Sequence, residues 1–76
     1  MTNLKNTRVN HGLSQSQLAN LSGISTQVIQ QYEQGNRNID GAKLDTLIKL
    51  ITALNCGLHE ILEDNDLRDK IKEIQL

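Results

Sequence analysis

Residues 15–34 read QSQLANLSGISTQVIQQYEQ, and this pattern predicts two short helices joined by a tight turn. Ala19 is small enough to let the first of these helices pack closely against the second. Gly23 can adopt a positive φ in the turn, because it has no Cβ. Leu18 and Ile29 provide apolar anchors, one on each helix. Small, glycine and aliphatic residues at these offsets are typical of a helix-turn-helix, in which two helices cross at about 90–120°.

Capping residues give the limits of the helices. Ser14 and Gln17 form a Ser-x-x-Gln capping box, and Ser25 is placed to cap the helix that follows the turn. Gly12 is placed to end the preceding helix in a left-handed conformation. The first three helices are therefore predicted over about 3–11, 15–21 and 26–34. A loop over 36–41 follows, then a fourth helix that ends at about Leu54 and a fifth over about 58–63.

The chain is predicted to be all-α, a compact five-helix bundle in one domain over residues 1–63, with a charged tail over 64–76. With 76 residues and neither Trp nor Phe, its core has to be built from aliphatic side chains. In the tail, Leu67, Ile71 and Ile74 recur at helical spacing, which favours a short sixth helix. Its apolar stripe is too narrow for a core of its own, so the tail either folds back on the domain or pairs with a second copy of the chain.

The outer face of the third helix carries an unusual set of amides. Gln27, Gln30, Gln31 and Gln34 fall within an arc of roughly 100°, opposite the apolar residues of the same helix. Glutamine can pair with adenine N6 and N7 in the major groove, and each good pair gives about 1–3 kcal/mol of discrimination. A single helical glutamine usually serves only solubility, but four on the outer face of a helix-turn-helix favour a helix that reads DNA bases.

Three stretches extend this pattern along most of the chain. They are GLSQSQLANLSGIS at 12–25, VIQQYEQGNRN at 28–38 and LDTLIKLITALNCGLHEIL at 44–62. In length, order and spacing, residues 3–63 resemble the phage-repressor and Cro class of helix-turn-helix regulators, also called the xenobiotic-response-element family. The resemblance implies a lambda-repressor-like bundle that binds double-stranded DNA through its third helix. It also implies a homodimer on half-sites about 34 Å apart.

The resemblance further implies two sets of DNA-contacting residues. The base-reading set would be Thr26, Gln27, Gln30 and Gln31. The phosphate-contacting set would be Gln15, Ser25, Asn36, Arg37 and Asn38, aided by main-chain N–H groups of the loop after the third helix. Amide side chains and backbone N–H groups can hold phosphates, so a chain with few Lys and Arg can still bind DNA.

One charged pair is expected to be structural. Arg8 and Glu33 match a pair that the family commonly buries as an ion pair between the first and third helices, so Arg8 is not expected to contact phosphate.

The chain departs from the family pattern in two places. The stretch IDGAK at 39–43 makes the connection before the fourth helix longer than usual. Gly57 stands where Ser or Asp often caps the fifth helix, and glycine is an acceptable N-cap.

Charge is divided unevenly along the chain, whose formal net charge is −1. Residues 1–43 carry four basic and two acidic side chains, whereas residues 44–76 carry four basic and seven acidic ones. Since local charge governs binding more than total charge does, the N-terminal half can still present a positive face to nucleic acid.

The sequence suggests no catalytic residues, no cofactor and no metal site. His11, His59 and the single Cys56 do not have the spacing of metal ligands, and the serines are explained by caps and turns. No apolar stretch approaches the ~20 residues of a membrane span, and nothing resembles a signal peptide. A cytoplasmic protein that is not an enzyme is therefore expected.

Two functions stay open from the sequence alone. The first is a DNA-binding transcriptional regulator that acts as a repressor. The second is an antitoxin, or another protein-interaction module, that neutralises a partner such as a toxin through its acidic C-terminal half. One protein can combine both functions, because antitoxins of this fold often repress their own promoters.

Overall fold

The computed structural model describes residues 1–74, and over that range it contains five α-helices, two 3₁₀ turns and no strand. The α-helices are α1 (Asn3–Asn10), α2 (Gln15–Ser22), α3 (Thr26–Glu33), α4 (Leu44–Leu54) and α5 (Asn65–Ile74). The first 3₁₀ turn, Ile39–Gly41, lies between α3 and α4, and the second, Leu58–Glu60, lies between α4 and α5. The all-α helix-turn-helix bundle is confirmed, and the last two residues of the predicted tail lie outside the described range.

The predicted caps of α2 and α3 are confirmed. The Ser14 hydroxyl accepts from the Gln17 amide at 3.0 Å, and the Gln17 side chain accepts from the Ser14 amide at 2.8 Å. The Ser25 hydroxyl accepts from the Val28 amide at 3.2 Å. Gly23, in the turn between the two helices, has a φ of +75°, in the left-handed region that favours glycine. Each of the first three helices therefore lies within one residue of its predicted limits.

The core is aliphatic and receives side chains from the first four helices. Six side chains are completely buried: Leu4, Leu18, Ile29, Leu50, Leu54 and Ile61. Burying one such side chain contributes about 1.5–3 kcal/mol relative to leaving it exposed. Tyr32, the only aromatic residue, lies at the edge of this core with 8% exposure. Since α2 and α3 each insert a fully buried residue, the outer side of α3 is held in a fixed position.

The predicted fifth helix over 58–63 is wrong in its extent. The structure has only the second 3₁₀ turn there, although Leu58, Ile61 and Leu62 are buried as expected. A helix reaching residue 63 would require the Glu63 amide to bond a carbonyl four residues earlier. That amide instead donates to the Asp40 carboxylate at 2.9 Å, so the helix ends early.

Other backbone groups near the second 3₁₀ turn also pair with side chains from α1. The Glu60 carbonyl accepts from the Thr7 hydroxyl at 3.2 Å, and the Leu62 carbonyl accepts from the Asn3 side-chain amide at 2.8 Å. These bonds satisfy carbonyls that would have no intrahelical partner in the last turn of a helix ending at residue 63. The segment therefore stays irregular while its apolar side chains remain in the core.

The long connection before α4 is ordered by two contacts. Ile39 is buried at 3% exposure, and both carboxylate oxygens of Asp40 accept backbone amides, from Glu63 and from Asp64 at 3.1 Å. The stretch that was expected to be loop thus contains the first 3₁₀ turn. As a result, α4 begins only at Leu44.

The tail forms a full α-helix, α5, that folds back on the domain. Arg68 donates through Nε to the His59 carbonyl at 2.8 Å, and Ile71 packs against the core. Leu67 and Ile74 remain exposed, at 37% and 65%. Across residues 1–74, no helix has the length and apolar character needed to cross a membrane.

Candidate nucleic-acid interface

The amide face of α3, defined here as Gln27, Gln30, Gln31 and Gln34, lies on the outside of the bundle. Three of these residues are exposed and Gln31 is partly buried. The opposite side of the helix is buried through Ile29, Tyr32 and Glu33. The face therefore projects away from the core on a helix that is anchored from behind.

Gln15, at the start of α2, is hydrogen-bonded to α3 in two places. Its Nε2 donates to Glu33 Oε1 at 3.0 Å, and its Oε1 accepts from Gln30 Nε2 at 3.2 Å. Gln15 is itself partly buried. A residue expected to contact phosphate is thus also bonded to a residue expected to read bases.

Arg8 and Glu33 form a buried ion pair between α1 and α3. Arg8 Nε lies 2.7 Å from Glu33 Oε2, and Arg8 Nη2 donates to Glu33 Oε1 at 3.0 Å. Arg8 Nη1 donates to the Leu13 carbonyl at 2.7 Å. The two side chains are only 9% and 2% exposed, so neither charge belongs to the outer surface of α3.

Three loop residues expected to contact phosphate follow α3 and are exposed. The Arg37 guanidinium donates through Nε to Gln31 Oε1, and Asn36 Nδ2 donates to Gln34 Oε1 at 3.2 Å. Asn38 instead uses its Oδ1 to cap the first 3₁₀ turn, accepting from the Asp40 amide at 3.1 Å. Arg37 and Asn36 thus border the amide face at its C-terminal end, while the side-chain oxygen of Asn38 already accepts a hydrogen bond.

The remaining residues of the two expected sets lie at the N-terminal end of α3. Ser25 is exposed and its hydroxyl caps the helix, while Thr26 occupies the first helical position and is partly buried. Together with Gln15, they place polar groups where α2 and α3 begin. The expected base-reading set therefore runs along α3, and the expected phosphate set brackets it at both ends.

A groove of about 420 Å³ runs beside α3 and contains a basic residue that the sequence reasoning missed. The groove is lined by apolar residues of the turn and of α3 and by residues of the connection and the start of α4: Ile24, Val28, Tyr32, Arg37, Gly41, Ala42, Lys43 and Thr46. Lys43 is exposed next to α4. In the sequence, Lys43 is visible only as a basic residue in the lengthened connection before α4. The folded loop shows that Lys43 lines the same groove as Arg37.

Acidic side chains are kept off the outer surface of α3. Glu33 is the only acidic residue in the helix, and it is buried against Arg8. Asp40 turns toward the Glu63 and Asp64 amides. Arg37, which bonds Gln31, therefore brings a positive charge to the amide face, which suits a polyanion, and Lys43 lies with Arg37 in the neighbouring groove.

The described residues offer no arrangement for metal or thiol chemistry. Within residues 1–74, no three His, Cys, Asp or Glu side chains lie close enough to hold a metal ion. Burial, with a smaller contribution from Glu60, raises the pKa of the Cys56 thiol to about 11. The thiol is therefore protonated at neutral pH and is a poor nucleophile.

A family model described as helix-turn-helix matches residues 4–61. The curated proteins and the solved structures give no significant match. The matched range begins in α1, includes the α2–α3 pair and ends just after the second 3₁₀ turn, so it leaves α5 outside. The chain belongs to the phage repressor/Cro-type helix-turn-helix family, a family of DNA-binding regulators.

Proposed function

We propose that this protein is a sequence-specific transcriptional repressor that reads the major groove with α3 and acts in the cytoplasm beside the DNA. The observation that carries the proposal is the amide face, which projects from the bundle with three of its four glutamines exposed. An α-helix fits the major groove, and glutamine amides match the donor and acceptor pattern of adenine there. The membership of the chain in a family of DNA-binding regulators supports the same conclusion.

Bases would be read by the set given above, Thr26, Gln27, Gln30 and Gln31. Phosphates would be held on both sides of α3 by Gln15, Ser25, Asn36, Arg37 and Asn38. We add Lys43 to the phosphate set, because it is exposed and lines the same groove as Arg37. Base contacts then supply the sequence preference, and phosphate contacts fix the register of the protein on the duplex.

The test is a measurement of affinity for genomic DNA fragments over a range of salt concentrations. Binding should weaken by about 0.9 log unit per tenfold rise in salt for each phosphate contacted. Replacing Lys43 with alanine should weaken all sequences alike and reduce that slope by about one contact. Arg37→Ala should reduce the slope in the same way and also alter the preference at the position read by Gln31, which Arg37 bonds. Lys72→Ala, an exposed change on the side of α5 away from Leu67 and Ile74, is the matched control and should leave both quantities unchanged.

Sequence preference needs a separate variant. Gln27→Ala should relax the preference at one base position by about 1–3 kcal/mol. Gln27 is a cleaner choice than Gln31, whose side chain also bonds Arg37. If the wild-type protein prefers no fragment even at low salt, the proposed function is wrong. If one fragment is preferred, a reporter gene placed behind that fragment distinguishes repression from activation.

We propose further that the protein binds DNA as a homodimer. Leu44 and Ile48 on α4 are 63% and 49% exposed, and on α5 Leu67 and Ile74 are also exposed. Exposed apolar side chains on neighbouring turns of a helix are typical of protein contacts. Sedimentation of Ile48→Lys and Ile74→Lys variants identifies the surface, because only the variant in the interface should shift the protein to monomer.

The antitoxin alternative draws on the same α5 surface and on the excess of acidic residues after residue 43. A partner toxin would bind α5 and leave α3 free for DNA. Loss of toxin neutralisation in a Leu67→Ser/Ile74→Ser variant that still binds DNA would support this second function. Neutralisation that survives the double change would remove α5 from consideration.

A further inference from the structure

We propose that Glu33, acting through Gln15, fixes the orientation of the Gln30 amide and so makes Gln30 favour adenine over guanine. The proposal rests on the proposed function and names a positioning role for two residues. It starts from a continuous hydrogen-bond chain, in which Gln15 Nε2 donates to Glu33 Oε1 at 3.0 Å and Gln30 Nε2 donates to Gln15 Oε1 at 3.2 Å.

The direction of the chain is set at its buried end. Glu33 is a carboxylate paired with Arg8, and a carboxylate only accepts hydrogen bonds. Gln15 must therefore point its nitrogen at Glu33, which leaves its oxygen toward Gln30. The buried ion pair holds the carboxylate in place, with Glu33 side-chain exposure of only 2%.

The orientation of the Gln15 amide in turn determines that of the Gln30 amide. Because Gln15 offers an oxygen, Gln30 must offer an N–H, and a flipped Gln30 amide would place two acceptors against each other. Gln30 is exposed, so the rest of its amide faces solvent. What remains for a ligand is the Gln30 Oε1 acceptor and one N–H donor.

This remaining pair of groups discriminates between the two purines. Adenine presents an N6 amino donor beside the N7 acceptor, which matches one acceptor and one donor. Guanine presents two acceptors, N7 and O6, in the major groove. An unconstrained Gln30 could turn both of its N–H groups toward guanine, but a Gln30 bonded to Gln15 has already used one of them.

The experiment is selection of bound sequences from a random DNA pool with four proteins. Gln30→Ala identifies the base position that depends on Gln30. Gln15→Met, close in length but without the amide, should then reduce the adenine-over-guanine preference at that position by roughly fivefold or more, with other positions unchanged. Asn20→Leu, an exposed amide change on α2, is the matched control and should select the same sequences as the wild type.

One outcome overturns the inference alone. If Gln15→Met weakens all sequences equally and keeps the preference at the Gln30-dependent position, Gln15 contacts phosphate and does not position Gln30. A wild-type protein that selects no sequence would instead refute the proposed function, and the base preference assigned to Gln30 would fall with it. Gln15→Ala provides a second variant if the methionine side chain disturbs folding.

A measurement without DNA tests the chain itself. The side-chain amide resonances of Gln30 in the NMR spectrum of the free protein should shift in Gln15→Met and stay in place in Asn20→Leu. Unshifted Gln30 resonances in a folded Gln15→Met protein would mean that the bond is absent, and the inference would be wrong whatever the DNA preference.

Discussion

Replacing Arg8 with alanine is expected to lower the free energy of unfolding by about 3–5 kcal/mol, because it leaves a buried carboxylate without its charge partner. Glu33 would lose the bonds at 2.7 and 3.0 Å from the guanidinium, and the Leu13 carbonyl would lose its donor. With the Glu33 side chain only 2% exposed, water cannot easily replace these bonds.

That loss is large for a chain of 76 residues. A domain of this size has a free energy of unfolding of about 4–11 kcal/mol. Each kcal/mol lowers the melting temperature of such a domain by about 4–8 °C, so a loss of 3 kcal/mol corresponds to roughly 12–24 °C. Arg8→Ala should therefore be mostly folded only at low temperature, where DNA binding should persist.

The assay is urea denaturation and thermal melting followed by circular dichroism. Lys49→Ala is the matched control, because Lys49 pairs with Asp45 at 3.2 Å on the surface, with side chains 49% and 77% exposed. An exposed pair contributes at most about 1 kcal/mol. The double variant Arg8→Met/Glu33→Leu should be more stable than Arg8→Ala, since it removes both charges and leaves neither one unpaired.

An Arg8→Ala protein that melts within about 4 °C of the wild type, a shift that corresponds to no more than about 1 kcal/mol, would show that the ion pair is not a major source of stability. If such a protein also lost affinity for DNA, Arg8 would have to be assigned to phosphate. Equal effects of Arg8→Ala and Lys49→Ala would likewise show that burial of the pair is unimportant.

Two substitutions and one chemical modification test the core, the turn and the thiol. Leu50→Ala, at a completely buried position of α4, should cost about 2–5 kcal/mol and lower the urea midpoint without changing the slope, and an unchanged midpoint would contradict the assignment. Gly23→Ala should cost about 1–2 kcal/mol from backbone strain at φ +75° alone, since no atom beyond the adjacent residues lies within 4 Å of the added Cβ; a melting temperature equal to wild type would exclude the strain. Since burial raises the pKa of Cys56 from 9.0 to about 11, alkylation at pH 8 should be slower than in urea by roughly 100-fold and should accelerate as the pH approaches that pKa.

Local signals were sufficient for the first three helices. Ser14, Gln17 and Ser25 each bond an amide three positions away, so their capping bonds can be recognised in the sequence before any tertiary contact is known. Helical periodicity likewise identified the buried side of α3 and its exposed amide face. These features depend on neighbours within one or two helical turns.

The segment around the second 3₁₀ turn could not be predicted in this way. Its apolar residues have helical spacing, but its backbone groups bond to side chains of Asn3, Thr7 and Asp40. These partners are 23 to 59 residues away in the chain, and no local pattern indicates them. Tertiary hydrogen bonds therefore overrode a local preference for helix.

The same limit applies to the candidate interface. Each expected contact residue was predicted from its own position in a helix or loop, and no local pattern indicates that Gln15 joins Glu33 to Gln30. Lys43 was missed because its relation to Arg37 depends on how the lengthened connection folds. Both features arise from the packing of separate elements rather than from spacing within one of them.

The bonds from α1 to the second 3₁₀ turn and its neighbours have a consequence for how the chain is made. Asn3 and Thr7 leave the ribosome before their partners at Leu62 and Glu60, which follow 59 and 53 residues later. At a translation speed of about 5–20 residues per second, α1 waits roughly 3–12 s for them. During that interval α2 and α3 can already pair, and α1 can already bind α3 through the Arg8–Glu33 ion pair. A nascent chain that stops before residue 58 therefore holds α1 through α3 alone, without its partners at Glu60 and Leu62.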